Sequence, residues 1–141
     1  MPELPEVETI RRQLAPVVEG RALTSVEVLD PRWCAPAAPE EVAAALAGRR
    51  VEQVGRRGKY FDWALEGEVH LVMHLRMTGN LLYRREPEEE PAPYTRVRFA
   101  LDDGAEVLFC DVRRFGTGVV LLGDAARDDY FAGRLGVEPL G

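Results

Sequence analysis

Leu4, Val7, Ile10 and Leu14 recur at helical spacing, which predicts an amphipathic helix over residues 3–15. Pro5 suits its first turn, where a missing N–H costs nothing. Glu3, Glu6 and Glu8 lie at the positive end of the helix dipole and Arg11 and Arg12 lie further along. Pro16 is expected to end the helix. A second short helix is predicted from Pro39 to Ala47, with Gly48 as its stop. Most of the remaining chain alternates with period two. Thr24, Val26 and Val28 should share one strand face, as should Phe61, Trp63 and Leu65, and Val69, Leu71, Met73 and Leu75. Val97, Phe99 and Leu101 lead into Asp102-Asp103-Gly104, a turn signal, with Val107 and Phe109 beyond it and Val119 to Leu122 as one more apolar run. Several short strands separated by turns favour a β-sandwich or barrel. Arg84 to Pro93 reads as a polar, Pro-rich loop.

Composition bounds this picture. The 141 residues suffice for one packed core, expected as a single domain over residues 1–141. No apolar run reaches membrane-spanning length, and the acidic, proline-bearing start is unlike a signal peptide. A cytoplasmic, monomeric protein is expected. Cys34 and Cys110 form no CxxC pair, so neither a zinc site nor a disulfide framework is indicated in this chain. The net charge of −6 argues against a nucleic-acid partner, but its distribution is uneven. Glu86, Glu88, Glu89 and Glu90 crowd the Pro-rich loop, whereas Arg49, Arg50, Arg56, Arg57 and Lys59 face only Glu52 in their segment.

The candidate chemistry starts at the N-terminus. Removal of Met1 leaves Pro2 with a free secondary amine, and α-amino groups titrate near pH ~8. Its neutral form can attack an electrophilic carbon and form an iminium. Glu3 and Glu6 stand close in sequence and offer proton transfer, although first-turn acids also serve a helix without any chemistry.

The opening Met1-Pro2-Glu3-Leu4-Pro5-Glu6-Val7-Glu8-Thr9 closely resembles the start of the formamidopyrimidine-DNA glycosylase family. Four further blocks resemble the family in its own order: Arg56-Arg57-Gly58-Lys59-Tyr60, His74-Leu75-Arg76-Met77-Thr78-Gly79, Asp111-Val112-Arg113-Arg114-Phe115-Gly116 and Leu135-Gly136-Val137-Glu138-Pro139-Leu140. The resemblance implies a fold that is mainly β with flanking helices, a two-sheet sandwich of about eight strands with an N-terminal helix and a second short helix. It implies a base-excision repair enzyme that removes oxidised purines through a Schiff base on Pro2 and then cuts the strand by elimination. Its partner would be double-stranded DNA containing oxidised bases or abasic sites.

The same resemblance assigns proton transfer to Glu3, with Glu6 beside it, a phosphate contact and a part in elimination to Lys59, and DNA contacts to His74 and Tyr94. Met77, Arg113 and Phe115 match the residues with which the family fills the gap left by a flipped base. Val112 and Val137 replace family prolines, and Tyr94 stands where the family has a histidine. No cofactor is expected in this chain. The family continues into a helix–two-turn–helix domain and usually a zinc finger, so the chain reads as the N-terminal half of such a protein, with zinc expected only in that finger. The competing expectations are an endonuclease VIII-like glycosylase for oxidised pyrimidines and a non-catalytic DNA- or protein-interaction module on the same scaffold.

Overall fold

The computed structural model describes residues 3–135. Pro2, Val137 and most of the block from Leu135 to Leu140 therefore lie outside the described residues. Helix α1 spans Leu4–Val18, α2 Pro39–Leu46 and α3 Asp124–Leu135. The eight strands are β1 Leu23–Val28, β2 Val51–Arg57, β3 Tyr60–Leu65, β4 Val69–His74, β5 Gly79–Arg84, β6 Thr95–Leu101, β7 Glu106–Asp111 and β8 Thr117–Leu122. They form two four-stranded antiparallel sheets, ordered β1-β6-β7-β5 and β2-β3-β4-β8. The expected two-sheet sandwich with its N-terminal and second short helix is thus the observed one.

The core between the sheets is built from the alternating positions. Phe61, Trp63 and Leu65 on β3 and Val69, Leu71 and Met73 on β4 are buried, as are Val97, Phe99, Val107 and Phe109 on the other sheet. Trp33, on a short 3-10 turn Pro31–Trp33, packs edge-on against Phe99 and Phe109, with ring centroids 6.4 and 5.7 Å apart. Trp63 packs against Phe99 from the other sheet at 5.4 Å. Both indole N–H groups are buried without a hydrogen-bond partner among the described residues. Gly118 backs onto the Trp33 ring so closely that a Cβ there would overlap it.

Three local readings need correction. Helix α1 runs past Pro16 to Val18. Proline at this position removes only the bond to the Arg12 carbonyl, while the last turn buries Val18 completely and the Glu19 N–H donates to the Ala15 carbonyl at 3.0 Å. Leu4 is exposed and only Val7, Leu14 and Val18 of α1 are buried. In β1 a bulge between Leu23 and Ser25 breaks the alternation, so Leu23 turns inward and Thr24 faces solvent.

Helix α3, which the pattern did not predict, covers the outer face of the second sheet. His70 on β4 is buried with Nδ1 2.8 Å from Asp62 and Nε2 2.7 Å from Asp124, and Arg127 donates to Asp62 at 3.1 Å. This cover explains why every residue of β4 is buried, on both faces.

The register sets the polarity of the sandwich. The β2–β3 turn, the segment after His74, Tyr94 and the β7–β8 connection gather at one end, because Tyr60 pairs with His74, His74 with Thr117, Gly79 with Asp111 and Thr95 with Cys110. The β6–β7 turn and the start of the acidic loop lie at the other end, where Arg84 pairs with Glu106.

Candidate functional site

Two arrangements meet at that first end. One is built around the start of α1. Glu8 accepts from Arg11 and Arg12 on its own helix and, at 2.7 Å, from Arg56 on β2. The Arg11 and Arg56 guanidiniums hold its carboxyl far below the usual carboxylate range. Arg56 also donates to the Gly58 carbonyl, so one cluster ties the helix to the tip of the β2–β3 hairpin. That tip is a two-residue turn with Gly58 at φ 56°, a conformation glycine adopts at no steric cost. The turn delivers Lys59, whose Nζ lies 3.7 Å from the Glu3 carboxylate. Glu3 caps the helix by its backbone, its carbonyl accepting from the Glu6 and Val7 N–H groups at 3.0 and 3.1 Å. Its side chain is left exposed. Glu6 is exposed too, and its carboxylate pairs with nothing among the described residues.

His74 lies beneath this hairpin. Its ring is buried, 4.7 Å centroid to centroid from Tyr60, and its Nδ1 accepts the Arg76 backbone N–H at 2.9 Å. That bond places the proton of the neutral ring on Nε2. Burial, then the charges of Arg76 and Lys59, push its pKa down to about 4, so His74 is neutral at physiological pH and donates from Nε2.

The other arrangement is organised by Asp111, which is 1% exposed. Its Oδ1 accepts the Thr78 hydroxyl and, at 3.2 Å, the Arg113 N–H, and its Oδ2 accepts the Gly116 N–H at 2.6 Å. Its own N–H donates to the Tyr94 carbonyl at 3.0 Å, and Arg96 donates to its carbonyl at 2.8 Å. One buried carboxylate residue therefore fixes three loops. On them Met77, Phe115 and Tyr94 stand 45%, 44% and 56% exposed, and the Arg113 guanidinium lies 5.0 Å over the Phe115 ring. Arg114 points the opposite way, forking onto buried Asp30 at 2.7 and 2.6 Å, which leaves Arg113 and Phe115 facing out. Gly79 and Gly116 are required where they stand, since a Cβ at either would lie 2.5 Å from the Leu75 carbonyl oxygen or the Phe109 ring.

The structure thus brings Glu3, Lys59 and His74 together, and presents Met77, Tyr94, Arg113 and Phe115 at the same end of the sandwich. Glu6 stays apart, and Pro2 lies outside the described residues. Asp111, Thr78, Asp30 and Arg114 are the functional scaffold that residue-by-residue reading missed. The available signal was an aspartate two residues before an arginine at a strand end, where its side chain bonds the backbone two positions on.

The fold is a two-sheet sandwich that carries exposed apolar and cationic side chains on loops fixed at one end. The family model for the formamidopyrimidine-DNA glycosylase N-terminal domain matches residues 1–118, and the chain belongs to that family. It is 46% identical over 143 residues to the formamidopyrimidine-DNA glycosylase of Heliobacterium modesticaldum, covering all of this chain and 52% of the relative. It is 48% identical over 117 residues to that of Chloroflexus aurantiacus, covering 82% of this chain and 41% of the relative. The chain therefore spans about half the length of these relatives. Among solved structures it is similar to the Lactococcus lactis Fpg bound to FAPY-dG containing DNA, with TM-score 0.85 and 28% identity over 93% of this chain and 48% of that one. A complex of the Lactococcus protein with oxidized pyrimidine containing DNA gives TM-score 0.83 and 28% identity, over 92% and 48%.

Proposed function

We propose that the chain is the catalytic half of a bifunctional DNA glycosylase and AP lyase of base excision repair, acting in the cytoplasm on oxidised purines in double-stranded DNA. The observation that carries this reading is the Lys59–Glu3 contact. It sets the Lys59 ammonium against the carboxylate of Glu3, the residue that follows Pro2, from segments more than fifty residues apart. The neutral Pro2 amine attacks C1′ of the damaged nucleotide. A C–N bond forms, the glycosidic bond breaks, and the base leaves with the bonding electrons and takes up a proton. Glu3 supplies the proton that opens the sugar ring. The resulting iminium acidifies the C2′–H bond; loss of that proton expels the 3′ phosphate and cuts the strand. Lys59 and the His74 Nε2–H hold phosphate oxygens. Met77 and Phe115 occupy the vacated stack, and Arg113 faces the orphaned base. All these groups belong to the chain itself.

The test uses a Met-processed full-length protein carrying this chain as its N-terminal half, since the half alone is expected to be weakly active or inactive, with oligonucleotide duplexes carrying one 8-oxoguanine, one oxidised pyrimidine or one abasic site. Borohydride should trap a covalent adduct, most efficiently with the oxidised purine and the abasic site. Pro2→Gly should retain weaker trapping because it keeps a primary amine, and Glu3→Gln should lower base excision. Equal trapping by a form that retains Met1 would refute Pro2 as nucleophile. Preference for the oxidised pyrimidine, a lesion class also seen with the Lactococcus relative, would shift the substrate assignment alone.

A further inference from the structure

In an acidic chain, cations left without counter-charges mark the surface that meets a polyanion. Most described arginines are engaged. Glu8 holds three, Glu106 two, and Asp30, Asp62 and Asp128 one each or more. Arg49 and Arg96 are held by backbone carbonyls. Arg32, Arg76, Arg85, Arg113 and Arg134 have no carboxylate partner among the described residues; of these, Arg76 follows His74 by two residues and Arg134 lies on α3 against Tyr130, where it donates only to the Tyr130 carbonyl of its own helix at 3.4 Å. Arg76 also has φ 55°, a left-handed conformation that costs a side-chain-bearing residue energy and glycine none. An arginine held there at a cost to the fold, between His74 and Met77, calls for a role for its guanidinium.

Helix α3 brings Arg134 toward the end of the sheet that carries Arg76. This helix begins beside His70 in the middle of β4 and runs along the outer face of the sheet to the end that carries Lys59 and His74. Tyr60 is 4.7 Å from His74 on one side and 6.1 and 5.7 Å from Tyr130 and Phe131 on the other. Arg134, exposed in the last turn of α3, lies 3.6 Å over the Tyr130 ring. The Tyr130 phenol has its pKa raised by burial, and the charges of both Arg134 and Arg76 act on it in the opposite sense. The aromatic ladder thus keeps the Arg134 guanidinium at the edge of the candidate site, on the side from which the charge of Arg76 also reaches Tyr130.

We propose that Arg76, two residues after His74, and Arg134, seated on Tyr130, form a phosphate track that extends the site along the backbone of a bound DNA duplex. The proposal rests on the DNA-directed reading above and adds to it two contacts, one on a helix outside the resembling blocks. Arg76 and Arg134 would each neutralise a phosphate without reading sequence.

The experiment is a salt titration of binding to a short fluorescent duplex with one abasic site, starting at low ionic strength. Each phosphate contact contributes about 0.9 to the slope of log affinity against log salt. Arg76→Ala and Arg134→Ala should each flatten the slope by about that amount, and the double variant by about twice it. Arg76→Lys should keep the slope. Arg76→Gly should flatten it while raising the melting temperature, because glycine relieves the left-handed backbone; a purely structural arginine would not separate these effects. Arg85→Ala, in the acidic loop, is the control for net charge and should change the slope little. An unchanged slope in the double variant, with wild-type binding intact, would overturn the track and leave the glycosylase reading standing. Equal flattening by Arg85→Ala would overturn it as a general charge effect. All forms are compared within the full-length protein that carries this chain as its N-terminal half, and no salt-dependent binding by its wild type would overturn both.

Discussion

At the scale of single residues, His74 carries a consequence for pH. Its pKa is about 4 in the fold against an ordinary 6.5, so the unfolded chain takes up this proton first as pH falls. The stability it contributes is complete above about pH 6.5, is lost between there and about 4, and follows the rule that stability rises with pH where the unfolded state binds more protons. Between about pH 7 and about pH 5 the wild type should therefore lose more stability than His74→Asn, by a difference of order 1–3 kcal/mol, read from urea melts at the two pH values. A constant difference would mean that His74 titrates alike in both states. The residues that meet DNA in the proposed function were legible because they sit in contiguous blocks. Asp111 was printed in one of those blocks, yet its role was not legible. Its partners Thr78 and Tyr94 lie 33 and 17 positions away, and only the β5–β7 and β6–β7 registers bring them to it.

At the scale of elements, strong periodicity was readable and weak periodicity was not. The central strands β3, β4, β6 and β7 and the first two helices have apolar faces that announce them. Strand β2 has only Val51 and Val54 buried, with a bulge after Val51, and α3 buries Phe131 while carrying three aspartates and two arginines. Helix α3 is held by tertiary partners, here His70, Asp62 and the Tyr60 ring, which no local window contains. Helix α1 shows the same dependence in its clamp on β2. Replacing Glu8 with Gln removes the charge that Arg11, Arg12 and Arg56 share. Charged hydrogen bonds contribute about 1.5–3 kcal/mol each when well formed, and partial solvent exposure reduces that. Glu8→Gln should lower stability by about 1–2 kcal/mol and speed hydrogen exchange in the first turns of α1. Unchanged exchange there would show that Val7 and Leu14 hold the helix without the cluster.

At the scale of the whole molecule, the sandwich separates its charges. The β6–β7 hairpin carries the acidic turn Asp102-Asp103 and Glu106 to one end, where Arg84 and Arg98 also gather the backbone of Glu88 and Glu90. The loops that present Arg76, Arg113 and Lys59 lie at the other end, about 17 Å away along five strand residues. A net charge of −6 is thus compatible with a face that attracts phosphate, because distance and salt weaken the repulsion from the far end. Composition could not show this, since it sums over both ends.

The two tryptophans turn the same architecture into an optical probe. Trp33 and Trp63 lie in the dry interior against Phe99, and none of the loops at the proposed DNA end bears an indole. Native emission should be blue-shifted, and should move to the red only when water enters the core during a urea titration. Adding duplex at low salt should leave the wavelength where it is. A native spectrum already as red as that of the denatured chain would contradict the closed core. The intrinsic light of this protein is therefore a gauge of folding that stays silent on binding, so that the two can be followed in one cuvette with a labelled duplex reporting the second.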